Sequence, residues 1–132
     1  MIRALLAVIA GIAVAYGGIA VLQSIGHQIY PPPEGIDPAD REAFAEVVRQ
    51  MPVPALLLVV AAYAVGTFFG AWLAARIAGR PFPALLVGGV MMLAGISNLA
   101  LVPHPLWFMV LSVLVFVPSA WLASRVAGPY SS

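Results

Sequence analysis

Few side chains in this sequence could carry chemistry. The 132 residues include two histidines, five acidic residues and six basic residues, all of them arginine, and no cysteine. The lack of cysteine excludes disulfides, thiolate metal sites and thiol nucleophiles. The sequence shows no Ser–His–Asp set, metal-ligand cluster or phosphate-binding glycine loop. We therefore predict a protein that is not an enzyme and that holds no metal or other cofactor.

The two histidines stand in similar surroundings. His27 follows the first long apolar segment and precedes Tyr30 by three residues, and His104 follows the third and precedes Trp107 by three. Two imidazoles at matching depth can ligate one metal ion or the two faces of a haem. Imidazole and aromatic rings at a span end also serve as plain interfacial anchors. These four residues form the candidate binding site, at the outer face, and anchoring is the alternative role.

Membrane-spanning helices must position these residues. Hydrophobic residues make up 63% of the chain and charged residues 8%, whereas a soluble domain carries about 25% charged residues. A helix needs roughly 20 mostly apolar residues to cross a bilayer. Four segments qualify, at about 2–25, 54–78, 83–102 and 106–127. We predict a single domain over residues 1–132, an all-α four-helix transmembrane bundle with an outer loop at 28–53.

Arginine placement predicts the orientation of the bundle. Four arginines lie at one end of the predicted spans: Arg3, Arg76, Arg80 and Arg125. All five acidic residues lie in the loop at the other end, together with two arginines. Because arginines near span ends are enriched on the cytoplasmic side, we expect both termini in the cytoplasm and the loop outside. The net charge of +1 gives no reason to expect a nucleic-acid partner.

Two helical hairpins of similar sequence make up the chain. Residues 71–79 (AWLAARIAG) and 120–128 (AWLASRVAG) are identical at seven of nine positions, at an offset of 49. The first and third spans align without a gap at an offset of 77, which pairs Gly11 with Gly88 and Gly18 with Gly95. The offsets differ by 28 residues, which matches the outer loop. Since each copy contains two spans, we predict a parallel duplication about an axis along the membrane normal.

Small residues predict where the helices touch. The second span has them at every fourth position: Ala62, Gly66, Gly70, Ala74 and Ala78. Such a stripe lets two helix backbones approach closely. It packs either inside the bundle or, at its two glycines, against another chain. The four glycines that the duplication pairs suit a close helix contact for the same reason.

Asn98 is the most polar residue deep inside a predicted span. An interhelical hydrogen bond, worth about 0.6–2 kcal/mol, is its plain role, and a substrate contact is the alternative. No acidic or basic residue lies in the middle of a span. Because proton-coupled transporters use such groups, the sequence argues against a self-contained proton-driven exporter.

The outer loop has an extended part and a helical part. Residues 30–35 (YPPPEG) favour polyproline II followed by a turn. Asp37 and Pro38 have the residue types of a helix N-cap and first helical position. Apolar residues then share one face of residues 38–51. We predict an amphipathic helix, either at the outer membrane interface or over the mouth of the bundle.

The segments HQIYPPP (27–33) and PHPLWF (103–108) resemble motifs of a group of small bacterial membrane proteins. The likeness covers nearly the whole chain, including GIDP (35–38) and AARIAG (74–79). The resemblance implies four spans in a bacterial inner membrane. It implies no activity and no functional residues, since none is established for the group.

Three functional classes fit these features. The lack of a chemistry-bearing constellation favours a non-catalytic accessory or interaction subunit of a membrane complex. An oligomeric pore or carrier for a small solute is the first alternative. A haem-, lipid- or quinone-handling subunit that uses His27 and His104 is the second. The expected partners are the lipid bilayer and either further copies of the chain or a larger complex.

Overall fold

Helices account for nearly all of the residues that the computed structural model describes, which are 2–30, 40–101 and 105–128. They are α1 (Ile2–Ile29), α2 (Arg41–Gln50), α3 (Val53–Ala78), α4 (Phe82–Leu101) and α5 (Leu106–Ala127). No strand occurs in these ranges, so the predicted all-α class is confirmed. The four long helices form the predicted bundle, and α2 lies in the connection between α1 and α3.

Proline and glycine mark the ends of α3. Pro52 precedes the helix with extended backbone angles, and its carbonyl accepts the N–H of Ala55 at 3.0 Å. A proline in the first helical turn, here Pro54, loses no hydrogen bond because the first N–H groups have no partner inside the helix. The helix ends at Gly79, whose φ of 71° is left-handed and therefore suits glycine.

The first helix extends about four residues farther than the sequence predicted, to Ile29. No proline interrupts the chain before Pro31, and the single glycine at position 26 costs a helix only about 1 kcal/mol. The Tyr30 N–H donates to the Gly26 carbonyl at 2.8 Å, which continues the helical pattern. His27 therefore lies within the last turn of α1 rather than beyond the helix.

The outer-loop helix begins later than predicted. It starts at Arg41, and the Asp40 carboxylate accepts the N–H of Ala43 at 3.2 Å. That bond satisfies a free N–H of the first turn, so Asp40 takes the capping role expected of Asp37. Asp37 and Pro38 themselves lie outside the described residues. The amphipathic character is as predicted, since the described charged side chains within the helix are exposed.

Helix α3 is the centre of the bundle. It packs against α1, α4 and α5, and α4 also packs against α1 and α5. In the described part of the chain, α1 and α5 make no comparable contact. The four helices therefore form a rhombus whose short diagonal joins α3 and α4. The helix with the predicted small-residue stripe thus has three close neighbours.

The core consists mostly of alanine. Alanines from all four long helices have no exposed surface: Ala7, Ala15, Ala71, Ala74, Ala75, Ala84, Ala120 and Ala123. Val87, Met91 and Phe116 fill the space between them. A second, smaller cluster contains Leu56 and Phe108. Since alanine side chains are short, the helices approach closely along most of the bundle.

The outer surface of the bundle is apolar. Helices α1, α3 and α5 are each long and apolar enough to cross a membrane. Helix α4 has 20 residues, a length of about 30 Å, which matches the hydrocarbon core of a bilayer. Large hydrophobic side chains are exposed on every long helix, and an apolar surface of this extent is unfavourable in water. The chain is a membrane protein, and the crossing by α4 stays a prediction.

Corresponding positions of the two hairpins lie at similar heights. A Cβ built on Gly11 would lie 2.8 Å from Val87 Cγ2, next to the paired position Gly88. Arg76 and Ala127, near the ends of α3 and α5, are joined by a hydrogen bond of 3.5 Å. A rotation about the membrane normal requires such equal heights. The α3–α4 contact has no counterpart of similar extent between α1 and α5 within the described residues, however, and the duplication stays a prediction.

Candidate functional site

Arginines gather at one end of the bundle. Arg3 donates a hydrogen bond to the Ile77 carbonyl, and Arg76 donates one to the Ala127 carbonyl at 3.5 Å. Both carbonyls lie at helix C-termini, where the partial negative charge of the helix dipole favours a cation. These bonds hold the start of α1 beside the ends of α3 and α5. That this end faces the cytoplasm stays a prediction from the charge pattern.

Two of these arginines lie over tryptophan rings. The guanidinium carbon of Arg76 is 5.9 Å from the centroid of Trp72, and that of Arg125 is 5.4 Å from Trp121. Both distances fall within the cation–π range of about 6 Å. Tryptophan at the headgroup level, with arginine reaching farther out, is the geometry of an interfacial anchor. The pairs therefore have a structural explanation and need no ligand.

The glycines of the α3 stripe contact α1. A Cβ built on Gly70 would overlap the carbonyl oxygen of Gly11, and one on Gly66 would lie 2.8 Å from the carbonyl oxygen of Ala15. A Cβ on Gly18 would lie 3.3 Å from the Gly66 Cα. Backbones this close leave no room for a side chain at the crossing. The stripe therefore lies in the α1–α3 interface, and Ala74 extends it, 3.0 Å from a Cβ built on Gly11.

Gly88 and Gly95 occupy the corresponding interface between α4 and α5. A Cβ on Gly88 would lie 2.5 Å from the Ala120 Cβ, and one on Gly95 would lie 2.6 Å from Phe116 Cε2. In this hairpin the glycines contact a methyl group and a ring. In the first hairpin they contact backbone atoms, so α1 and α3 approach each other more closely.

Asn98 makes an interhelical contact. Its side chain lies close enough to the Tyr63 hydroxyl of α3 to interact with it, and the Tyr63 ring packs against the Phe116 ring of α5 with centroids 5.4 Å apart. One polar and one aromatic contact thus join α3, α4 and α5 at one level. Asn98 is nevertheless exposed. An amide can form more hydrogen bonds than one hydroxyl satisfies.

Two buried hydroxyl groups are unusual in the structure, and the sequence did not single them out. Thr67 and Ser112 are 0% and 1% exposed, and neither oxygen has a hydrogen-bond partner among the described residues. Hydroxyls in helices usually donate to a carbonyl of the preceding turn, as Ser97 does to Leu93 at 2.9 Å. Serine and threonine among apolar residues are common, so the sequence pattern alone does not distinguish these two.

Two of the four predicted outer-face residues lie around a small cavity. His27 and Tyr30 line its α1 wall together with Gln23, and Met51 and Val59 line the other side. This cavity is at the end of the bundle away from the arginines, since it contains the last turn of α1. It brings His27 and Tyr30 together with a third polar group that the sequence did not place in the site.

Trp107, a third predicted site residue, is not among the described residues that line this cavity. Trp107 lies in the first turn of α5, where it is exposed and its ring meets Phe108 edge-on at 6.1 Å. His104 lies outside the described residues. The structure therefore leaves the pairing of the two histidines as a prediction.

A second cavity adjoins the first on the lipid side of the α1–α3 seam. It has a volume of about 120 Å³ and an apolar lining of Leu22, Ile25, Gly26, Ile29, Leu58, Ala61, Ala62 and Val65. Three residues, Leu22, Gly26 and Leu58, line both cavities. A Cβ built on Gly26 would meet none of the described residues within 4 Å. We call these two adjoining cavities together the outer slot.

No protein-family model, curated protein or solved structure matches the chain. Within the described residues, no three histidine, cysteine, aspartate or glutamate side chains come together in a way that could hold a metal ion. Functional proposals for this chain therefore rest on its own geometry.

Proposed function

We propose that this chain is a non-catalytic accessory or interaction subunit of a larger membrane assembly, and that it contacts its partner through the outward face of α1. The supporting observation is a set of exposed small residues on this face of α1, between position 13 and position 24, next to large exposed side chains such as Leu6 and Ile9 nearer the start of the helix.

Helix α1 carries small residues on two opposite faces. The face toward α3 buries Ala7, Gly11 and Ala15. A second set is exposed: Ala13, Gly17, Ala20 and Ser24. At 100° per residue, this second set lies about half a turn away from the first. In the part of the chain that the structure describes, a Cβ built on Gly17 would meet nothing within 4 Å.

Among the described residues, the exposed surfaces of α3 and α5 carry no comparable set of small residues. Leu57, Val65 and Phe69 are exposed on α3, and Leu114, Trp121 and Leu122 are exposed on α5. Large side chains of this type fill the irregular boundary with lipid chains. A face of glycine, alanine and serine leaves the helix backbone accessible instead, and another transmembrane helix can approach it closely.

Gly17 is unfavourable unless something packs against it. Glycine inside a helix costs about 1 kcal/mol relative to alanine. At Gly70 and Gly11 this cost is offset by the backbone contact that glycine permits. No such contact exists for Gly17 within the described part of the chain. A partner helix would supply it.

The bundle interior offers less support for a solute pathway through one chain. Val87, Met91 and Phe116 are buried at its centre, packed among alanines. A water-filled pore requires an interior free of such side chains.

Affinity purification of the full chain from native membranes, with mass spectrometry of co-purifying proteins, tests the proposal. Gly17→Leu introduces a large side chain on the small face, and Val21→Leu is the matched control because Val21 is exposed elsewhere on α1. We expect a constant set of membrane proteins that Gly17→Leu removes and Val21→Leu retains. The proposal is wrong if Gly17→Leu retains that set, or if only further copies of the chain co-purify.

A further inference from the structure

We infer that the outer slot between α1 and α3 binds one uncharged membrane lipid. Its hydroxyl or carbonyl headgroup lies beside Gln23, His27 and Tyr30, and part of its hydrocarbon chain lies in the apolar cavity on the other side of Gly26.

The slot has one polar side and one apolar side. Gln23, His27 and Tyr30 line the first cavity, and the second is lined by leucine, isoleucine, alanine, valine and glycine. An amphiphile has the same division between a hydrogen-bonding head and an apolar chain. The shared residues Leu22 and Gly26 place both parts within reach of a single molecule.

The polar side suits a headgroup without charge. Its amide, imidazole and phenol can each donate and accept hydrogen bonds, and the described residues that line the two cavities include no arginine, lysine, aspartate or glutamate. Anionic phospholipid headgroups are held by clusters of basic residues. The basic residue closest in sequence to Met51 is Arg49, which is already paired with Glu46 at 3.1 Å. An anionic headgroup would therefore be poorly compensated here.

Only the first hairpin has the residue types that line this slot. At the offset of 77, Gln23 corresponds to Ala100 and Gly26 to Pro103. The second hairpin therefore lacks both the amide and the glycine. Met51, which follows α2, completes the first cavity, and the second hairpin has no loop of that length. The slot thus coincides with the features that make the two hairpins different.

The test uses the full chain in lipid nanodiscs with two photoreactive probes. One is a diacylglycerol with a diazirine in its acyl chain, and the other is a phosphatidylglycerol with the same chains. Mass spectrometry of the digested protein locates the adducts after illumination. We expect diacylglycerol adducts to concentrate on the slot residues of α1 and α3, and phosphatidylglycerol adducts to spread over all exposed faces.

Matched variants show whether the slot itself holds the probe. Gly26→Leu fills the opening and should lower slot labelling by at least about tenfold, because the new side chain occupies the space of the lipid chain. Gly89→Leu is the control, since a Cβ built there also meets nothing within 4 Å but lies on α4. Gln23→Leu keeps the volume and should lower labelling by about fivefold through the loss of one hydrogen bond.

Three results would overturn the inference: slot labelling that survives Gly26→Leu, equal slot labelling by both probes, or diacylglycerol adducts spread evenly over the surface. If Gly26→Leu does not yield a monodisperse protein, Gln23→Leu decides. A fall in labelling then supports the site, and unchanged labelling rejects it.

Discussion

Replacing Gly70 by alanine adds a single methyl group and tests the packing of the bundle. In Gly70→Ala the new Cβ would overlap the carbonyl oxygen of Gly11 and lie 2.8 and 2.9 Å from the Cβ and N of Ala15. Overpacking of a core costs about 1–3 kcal/mol. Two of the three contacted atoms belong to the backbone and cannot rotate away, so we take the upper value. Alanine regains about 1 kcal/mol of helix propensity, which leaves a net destabilisation of about 2 kcal/mol.

The matched control is Gly17→Ala, where the added Cβ meets open space. It changes only helix propensity and should stabilise the isolated chain by up to about 1 kcal/mol. The two variants should therefore differ by about 3 kcal/mol, which is more than a hundredfold in the folding equilibrium. The larger Gly70→Leu should separate α1 from α3.

Reversible unfolding in mixed micelles, followed by the fluorescence of the three tryptophans, measures both variants under one condition. Size-exclusion chromatography before the titration confirms that each variant starts from the same oligomeric state. The packing argument is refuted if Gly70→Ala is as stable as Gly17→Ala, because the methyl group would then have found space that the structure does not show.

Three further outcomes are expected. A reporter fused at Ser132 should read cytoplasmic and a cysteine at Ala39 should be labelled from outside; cytoplasmic labelling of Ala39 would contradict the arginine argument. Asn98→Leu and Tyr63→Phe should each destabilise the bundle by about 0.6–1.7 kcal/mol, and a double variant whose losses simply add would show that the two side chains share no bond. Ser112→Ala should leave the free energy of unfolding unchanged or raise it, because the buried hydroxyl has no hydrogen-bond partner among the described residues. A loss of stability above about 1 kcal/mol in the same titration would show that the hydroxyl does have a partner.

Local features account for the parts of the fold that were predictable from sequence. The apolar segments gave helices close to the expected positions because their length and composition do not depend on neighbours. Pro52 and Gly79 marked the ends of α3 through their own backbone preferences. The predicted end of α1 was too early, because Gly26 and His27 allow a helix to continue without favouring one. The helix ends only at Ile29, close to Pro31.

Less of the candidate site than of the fold could be predicted from the sequence. The residue types of His27 and Tyr30 and their place at a span end predict a site there, and both line the outer cavity. Gln23 was not chosen as a site residue, although it lies about one turn from His27 on the same helix. Its role depends on how far α1 and α3 separate at their outer ends, and separation between helices is not encoded in the pattern of either helix alone.

Gly17 and Gly18 show most clearly what the sequence determined and what only the tertiary structure decided. The sequence by itself determined that this segment is an apolar helix, because hydropathy and length are properties of the segment. It also determined that neighbouring residues of that helix point about 100° apart. Only the tertiary structure decided that a Cβ built on Gly18 would lie 3.3 Å from the Gly66 Cα, whereas one built on Gly17 would meet none of the described residues within 4 Å. The physical reason is that both faces of α1 carry small residues, so either could accept α3, and the choice depends on packing among all four helices at once.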